Sequence, residues 1–177
     1  VKPTGRVLVY DDGGAHAGMT AAEILARGGA EVEVISPERF FAPDMGGMNH
    51  VPYMRAFHET GTRITINTRV VGIKREGNQL VATLGSDFAE GWSEERRVDR
   101  VVAEHGTAAN AEVYFALKPE SCNLGEVDYS ALTSGVGEVF PGRNPGGRFV
   151  LYRIGDAVAA RNIHAGIYDA LRFGVRV

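Results

Sequence analysis

The feature that most constrains the fold is the stretch 7–36, in which two apolar runs enclose an alanine-rich segment. The first run, 7–11, is short and β-branched, as is typical of a buried parallel strand. A glycine-containing turn leads into strong helix formers over 17–27, which end at a pair of glycines. A second apolar run follows over 32–35. This order predicts a strand–helix–strand unit with parallel strands and the helix on one face of the sheet.

The rest of the chain continues this alternation. The further predicted helices span 50–59, 110–117 and 160–173, with Asn110 as the N-cap of the second. The further predicted strands span 62–67, 98–103 and 148–154.

A different pattern interrupts the alternation. Two β-prone runs, 68–76 and 79–84, flank the turn residues Gly77-Asn78 and predict a β-hairpin. The segments 85–95 and 119–147 are polar or rich in Gly, Ser and Asn, and predict loops. The predicted fold class is therefore α/β: a three-layer, Rossmann-like parallel sheet of the NAD(P)-binding type, with a β-hairpin or meander excursion.

Composition narrows the possible partners. The chain has 177 residues and a net charge of −3, which gives no electrostatic reason to expect nucleic acid or an anionic membrane. The single cysteine, Cys122, excludes an internal disulfide and fits a reducing compartment. His50 and His58 lie eight residues apart without a carboxylate at ligand spacing, so no metal site is expected. We therefore expect a cytoplasmic protein with no membrane or nucleic-acid partner.

The turn after the first strand resembles the dinucleotide fingerprint G-x-G-x-x-G. In the register that starts at Gly13 and includes Gly14, the first glycine and the third, Gly18, are present, but Ala15 replaces the middle one. That glycine lets the backbone approach a pyrophosphate, so a methyl group there pushes a phosphate away. His16 could contact a phosphate, or it could be an exposed loop histidine.

Acidic residues are a second obstacle to a phosphate. Asp11 and Asp12 end the first strand, and a carboxylate about 6 Å from a phosphate charge is repelled by roughly 3 kcal/mol at an effective dielectric constant of about 20. Alternatively, one aspartate accepts hydrogen bonds from the loop amides. After the second strand, Glu38 could bind a ribose and Arg39 a 2′-phosphate, or both could be ordinary loop charges.

Two later motifs carry a family resemblance. "LYRIGDAVAARNIHAGIYDAL" resembles the second fingerprint of flavoproteins with two dinucleotide domains, in which the aspartate lies near FAD. This implies FAD-side contacts for Gly155 and Asp156, although Asp156 could instead cap the following helix. "VVAEHGTAANAEVYFAL" resembles the passage that ends the NAD domain of such proteins, with Gly106 retained and Glu104-His105 in place of Ala-Thr.

The whole chain resembles the C-terminal nucleotide-domain region of the trimethylamine dehydrogenase and 2,4-dienoyl-CoA reductase family, nearest to its N-methylproline demethylase-like members. The resemblance implies an N-terminal barrel with FMN and an iron–sulfur cluster, then an FAD-like domain into which an NAD-like domain is inserted. Residues 1–147 would be the NAD(P)-binding-like domain, and 148–177 the returning strand and helix of the FAD-like domain. The absent barrel and FAD-like domain would be partners, and the chain, which begins with Val1, would be a fragment.

Three functions follow from these observations. The first is a nucleotide-domain region with a degenerate dinucleotide site, in a flavin-dependent oxidoreductase that acts on N-methylated amines. There the FAD-like domain holds ADP, FAD or nothing, and no residue of this chain is catalytic. The second is a functional NAD(P)H-binding domain that supplies electrons to flavin. The third is a docking module for an electron-transfer flavoprotein, or for formation of a homo-oligomer.

Overall fold

The structure, a computed structural model, describes residues 4–175, which divide after Gly106 into two compact units. The predicted domain ranges 1–147 and 148–177 include residues 1–3 and 176–177, which lie outside the described residues. The elements of the first unit are β1 (Arg6–Asp11), α1 (His16–Arg27), β2 (Glu31–Ile35), α2 (Gly47–Thr60), β3 (Arg63–Thr65), β4 (Arg69–Glu76), β5 (Gln79–Gly85), β6 (Ser93–Val98) and β7 (Arg100–Glu104).

The first unit has three layers, which confirms the predicted fold class. Four parallel strands pair in the order β3-β2-β1-β7, and three antiparallel strands in the order β4-β5-β6. On β1, Val7 and Val9 pack toward the helices, in a cluster with Met19 of α1 and Phe57 of α2. Leu8 faces the other way and packs against the small sheet. Because side chains alternate along a strand, β1 is buried on both faces.

The small sheet contains one strand more than the predicted hairpin. Residues 85–95 were predicted as a loop, but β6 begins at Ser93 and pairs with β5 along its whole length. Its sequence, SEERRV, carries no apolar alternation that would signal a strand. An ion pair connects β6 to the parallel sheet: Nε of Arg96 lies 2.9 Å from Oε2 of Glu33 on β2. Both side chains are only about 15% exposed.

The second unit is made of short helices. Its helices are α3 (Glu112–Leu117), α4 (Tyr129–Ser134) and α5 (Ile163–Gly174), with single 3₁₀ turns at Lys118–Glu120 and Gly155–Ala157. The strand predicted over 148–154 is not formed, since the described part of this unit contains no strand to pair with it. Instead the buried side chain of Asn123 donates to the carbonyl of Leu151 at 2.7 Å and accepts from its N–H at 2.9 Å. One amide side chain thus replaces a neighbouring strand.

Two predicted helix caps are wrong. The N-cap position of α3 is Ala111, not Asn110, and the helix begins at Glu112. The last helix begins at Ile163 and is capped by Asn162, whose side chain accepts a hydrogen bond from the N–H of Ala165. Asp156 lies earlier, in the 3₁₀ turn, and so does not cap that helix. Among the described helices, none combines the length and the apolar character that a bilayer crossing requires.

Candidate functional site

Apart from Glu38, the predicted site residues of the first unit lie at the carboxyl ends of β1 and β7. The chain order reverses across this pair, because β2 and β3 lie on one side of β1 and β7 lies on the other. Open α/β sheets bind ligands at such a switch point. The glycine loop, residues 12–15, leaves β1 here and enters α1 at His16.

Asp11 is the most buried polar residue of the site. Its side chain has no exposed surface, and its Oδ1 accepts a hydrogen bond of 3.1 Å from the N–H of Gly14. This is the alternative in which an aspartate binds the loop amides. Burial raises the pKa of the Asp11 carboxyl to about 6; the nearby Glu104 carboxyl adds to the rise, and the Gly14 hydrogen bond opposes it.

The glycines of the fingerprint make room for acids. A Cβ atom on Gly13 would lie 1.9 Å from Oε2 of Glu104, and one on Gly18 would lie 2.6 Å from Oδ1 of Asp11. Both distances are far inside van der Waals contact. The first and third glycines are thus required by two carboxyl groups of this chain, a use that the sequence pattern did not predict.

Glu104 completes the buried part of the site. It is the register partner of Asp11 on the neighbouring strand, and its Oε1 accepts a hydrogen bond of 2.9 Å from the N–H of Gly106. Oδ2 of Asp11 and Oε2 of Glu104 are buried and have no partner among the described atoms. The sequence signal for this residue was an acid at the end of an apolar strand run, VVAE.

Asp12 and His105 form the exposed part of the site, one residue further along the same two strands. Oδ2 of Asp12 lies 2.5 Å from Nδ1 of His105, and the hydroxyl of Tyr10 donates to Oδ1 of Asp12 at 3.4 Å. His105 therefore lies at the carboxyl edge of the sheet, with its side chain 77% exposed.

Ala15 and His16 start the helix. Ala15 occupies the N-cap position of α1 and offers no side-chain cap. Nδ1 of His16 lies 3.3 Å from the hydroxyl of Tyr53 on α2, and that hydroxyl lies 2.9 Å from Oγ1 of Thr20. Nε2 of His16 lies 3.5 Å from Nδ2 of Asn49. His16 thus connects the start of α1 to α2, and no sequence motif pointed to Tyr53.

The remaining predicted residues lie apart from this group. Glu38 and Arg39 are exposed in the turn after β2, and Arg39 borders a shallow surface cavity of about 370 Å³. Gly155 and Asp156 belong to the second unit. There Gly155 adopts a positive φ of 54° and its N–H donates to Oδ2 of Asp169 at 3.0 Å. Asp156 and Arg161 border a cavity of about 480 Å³ beside α5. Over residues 4–175, no three His, Cys, Asp or Glu side chains are grouped so as to hold a metal ion.

Comparisons with known proteins agree on one class of protein. No family model matches the chain. It is 49% identical over 171 residues to a probable N-methylproline demethylase of Rhizobium meliloti (strain 1021), and the match covers 97% of this chain and 25% of that protein. It is 38% identical over 177 residues to the N,N-dimethylglycine/sarcosine dehydrogenase of Chromohalobacter salexigens, covering 97% and 25% of the two chains.

A solved structure extends the comparison to the fold. The structure of histamine dehydrogenase from Rhizobium sp. 4-9 matches with a TM-score of 0.66 at 17% identity, over 99% of this chain and 24% of that one. At that identity the match concerns the fold alone. The chain spans about a quarter of the length of the curated relatives it matches. Together these matches confirm the family resemblance that the motifs indicated.

Proposed function

We propose that this chain, which is similar to a quarter of the N-methylproline demethylase and N,N-dimethylglycine/sarcosine dehydrogenase chains, is the nucleotide-domain region of a flavin-dependent oxidoreductase acting on N-methylated amines. Residues 1–147 are its NAD(P)-binding-like domain, and 148–177 contribute to an FAD-like domain. The chemistry belongs to an N-terminal barrel of the longer protein, with FMN and an iron–sulfur cluster. Cys122, the single cysteine, fits the cytoplasmic location that this proposal includes.

We further propose that the glycine loop does not hold a dinucleotide. The observation that carries this proposal is the hydrogen bond from the Gly14 N–H to Asp11, because it occupies an amide that a diphosphate would need. The methyl group of Ala15 and the carboxylates of Asp12 and Glu104 add steric and electrostatic opposition. At an effective dielectric constant of about 20, a carboxylate about 6 Å from a phosphate costs roughly 3 kcal/mol, more than the attraction of about 0.3–2 kcal/mol that a helix N-terminus offers. These residues do not fit a diphosphate.

Calorimetry with NADH, NADPH and ADP, each added separately to the chain, tests this part of the proposal. We expect no saturable binding of either nicotinamide cofactor up to about 1 mM, where a dissociation constant corresponds to only about −4 kcal/mol. Saturable NADH or NADPH binding in the micromolar range would instead support the second function, a domain that supplies electrons to flavin. The ADP titration examines the FAD-like side through Gly155 and Asp156, independently of the glycine loop.

One further observation favours an interface in the second unit. Ile163, Ile167 and Leu171 follow one another at four-residue intervals on α5 and are 74%, 54% and 61% exposed. Such a stripe is typical of a helix that packs against a partner. We propose that the FAD-like domain of the longer protein covers it.

Light scattering tests this: we expect self-association of the isolated chain that Ile167→Glu abolishes. If the chain is monomeric with Ile167 intact, the exposed stripe on α5 is not an interface. If a carrier flavoprotein co-elutes with the chain, that result would favour the docking function.

A further inference from the structure

The carboxyl groups of Asp11, which is buried, and of Glu104, which is partly buried, lie between two loops. They are register partners at the ends of β1 and β7. Each uses one oxygen to accept a loop amide: Gly14 donates to Asp11, and Gly106 donates to Glu104. Their other oxygens, Oδ2 of Asp11 and Oε2 of Glu104, are buried without a hydrogen-bond partner. Each carboxyl group therefore binds one loop, but no hydrogen bond joins the two carboxyl groups to each other.

A buried carboxyl oxygen needs a donor, because burial without a hydrogen bond costs free energy. The titratable groups around the pair do not supply one. Asp12 and His105 bind each other, and both nitrogens of His16 are directed at side chains of α2. Asp44, whose N–H donates to the carbonyl of Gly14, contributes only another acceptor at its side chain. No described group of ligands suits a metal ion at this point.

We propose that Asp11 and Glu104 share a single proton, and that this proton latches the glycine loop to the loop that follows β7. With the proton bound, one carboxyl donates to the other and both loop amides are held. When the proton leaves to solvent, two carboxylates face each other in a largely buried site and repel. The two loops then move apart, while each amide stays on its own carboxyl group, because a carboxylate accepts an N–H more strongly than a neutral carboxyl does. The inference goes beyond the proposed function and stands whether or not the cleft ever binds a nucleotide.

The fit of the neighbouring glycines supports this assignment. The Cβ positions of Gly13 and Gly18 are filled by oxygens of Glu104 and Asp11, so these two glycines let the backbone approach both carboxyl groups closely. The raised pKa of Asp11, about 6, puts the change of state within the range of ordinary buffers.

Carboxyl ¹³C NMR of the chain across a pH series tests the shared proton. In the wild type we expect the Asp11 signal to titrate near pH 6. Glu104→Gln removes the like charge and supplies an amide donor, so the Asp11 midpoint falls toward the ordinary range of aspartate. Asp12→Asn, the matched control on the adjacent residue, leaves the Asp11 midpoint where it was. If Glu104→Gln does not fold, Glu104→Ala serves as the second variant, and the Asp11 midpoint should fall there as well, because the like charge is again removed.

Hydrogen exchange of the Asp12 amide, which donates to the carbonyl of Glu104 at 3.0 Å where the two loops begin, tests the connection between the loops. After correction for the intrinsic pH dependence of exchange, we expect its protection to fall as the pH passes the Asp11 midpoint, and to be independent of pH in Asp11→Asn. An Asp11 midpoint in the ordinary range, a midpoint that Glu104→Gln leaves unchanged, or protection of the Asp12 amide that stays flat in the wild type would each overturn the proposal. None of these results depends on whether NADH or NADPH binds.

Discussion

Replacing Asp11 by asparagine should stabilise the protein at neutral and alkaline pH. In the folded chain Oδ1 of residue 11 accepts from the Gly14 amide, and an asparagine oxygen would keep that bond. The new Nδ2 donor would face Oε2 of Glu104, which is buried and has no partner. The substitution therefore keeps one hydrogen bond, adds a second and removes one of two buried negative charges.

The size of the effect follows from the raised pKa of Asp11. The carboxyl has a pKa of about 6 in the native chain against an ordinary 3.8, so between these values the native state binds more protons than the unfolded state. Stability consequently falls as the pH rises through that window, and the loss is complete above about 6. At about 1.4 kcal/mol per pKa unit, a shift of roughly two units corresponds to about 3 kcal/mol. Asp11→Asn should gain up to that amount near pH 8, and almost nothing near pH 4.

Urea unfolding followed by the fluorescence of Trp92 measures this gain. The single tryptophan lies between β5 and β6, so its fluorescence reports on the first unit, which also contains Asp11. Asp12→Asn is the matched control: it alters the neighbouring acid, whose partner His105 is exposed, and should change stability by less than about 1 kcal/mol at either pH. An Asp11→Asn protein that is less stable than the wild type at pH 8, or that gains equally at pH 4 and pH 8, would refute the reasoning.

Two further substitutions check the packing of the site and the capping of the last helix. Gly18→Ala brings a Cβ to 2.6 Å from Oδ1 of Asp11 and should destabilise the first unit by about 1–3 kcal/mol in the same urea assay, whereas Gly47→Ala, with no atom within 4 Å, should be neutral or slightly stabilising. Equal effects at the two glycines would mean that Asp11 moves aside freely. Asn162→Ala removes the cap of α5 and should cost about 1 kcal/mol in thermal unfolding by circular dichroism, while Asp156→Ala should have little effect; the reverse order would restore Asp156 as the cap.

Much of the first unit could be predicted because its signals are local. The apolar run 7–11 and the helix formers 17–27 fall within one residue of β1 and α1. The Gly77-Asn78 turn correctly placed the hairpin, since turn chemistry and strand alternation act over a few residues. β6 was missed because its stability comes from pairing with β5 and from the ion pair of Arg96, neither of which leaves an apolar pattern.

The second unit and the acid pair show the opposite case. The run 148–154 has strand-forming residues, but a strand also needs a neighbour, and in this chain the amide of Asn123 meets the polar groups of Leu151 instead. Likewise the sequence offered Asp11 as a loop acceptor, but its encounter with Glu104 spans 93 positions and depends on the register of β1 and β7. Local chemistry was predictable, whereas the partner supplied by a distant strand was not.

The ion pair between Glu33 and Arg96 has a consequence for how the two sheets recognise each other. Apolar contacts between stacked sheets are not directional, so they discriminate weakly between neighbouring alignments of the two sheets. The Arg96 guanidinium reaches the Glu33 carboxylate at 2.9 Å only in the observed alignment. Slippage would break this partly buried contact and leave Arg96 with Glu94 of its own strand, and Glu33 with Arg63 of the adjacent strand. The ion pair therefore sets the alignment of the small sheet on the parallel sheet, while the apolar contacts around it hold the two sheets together.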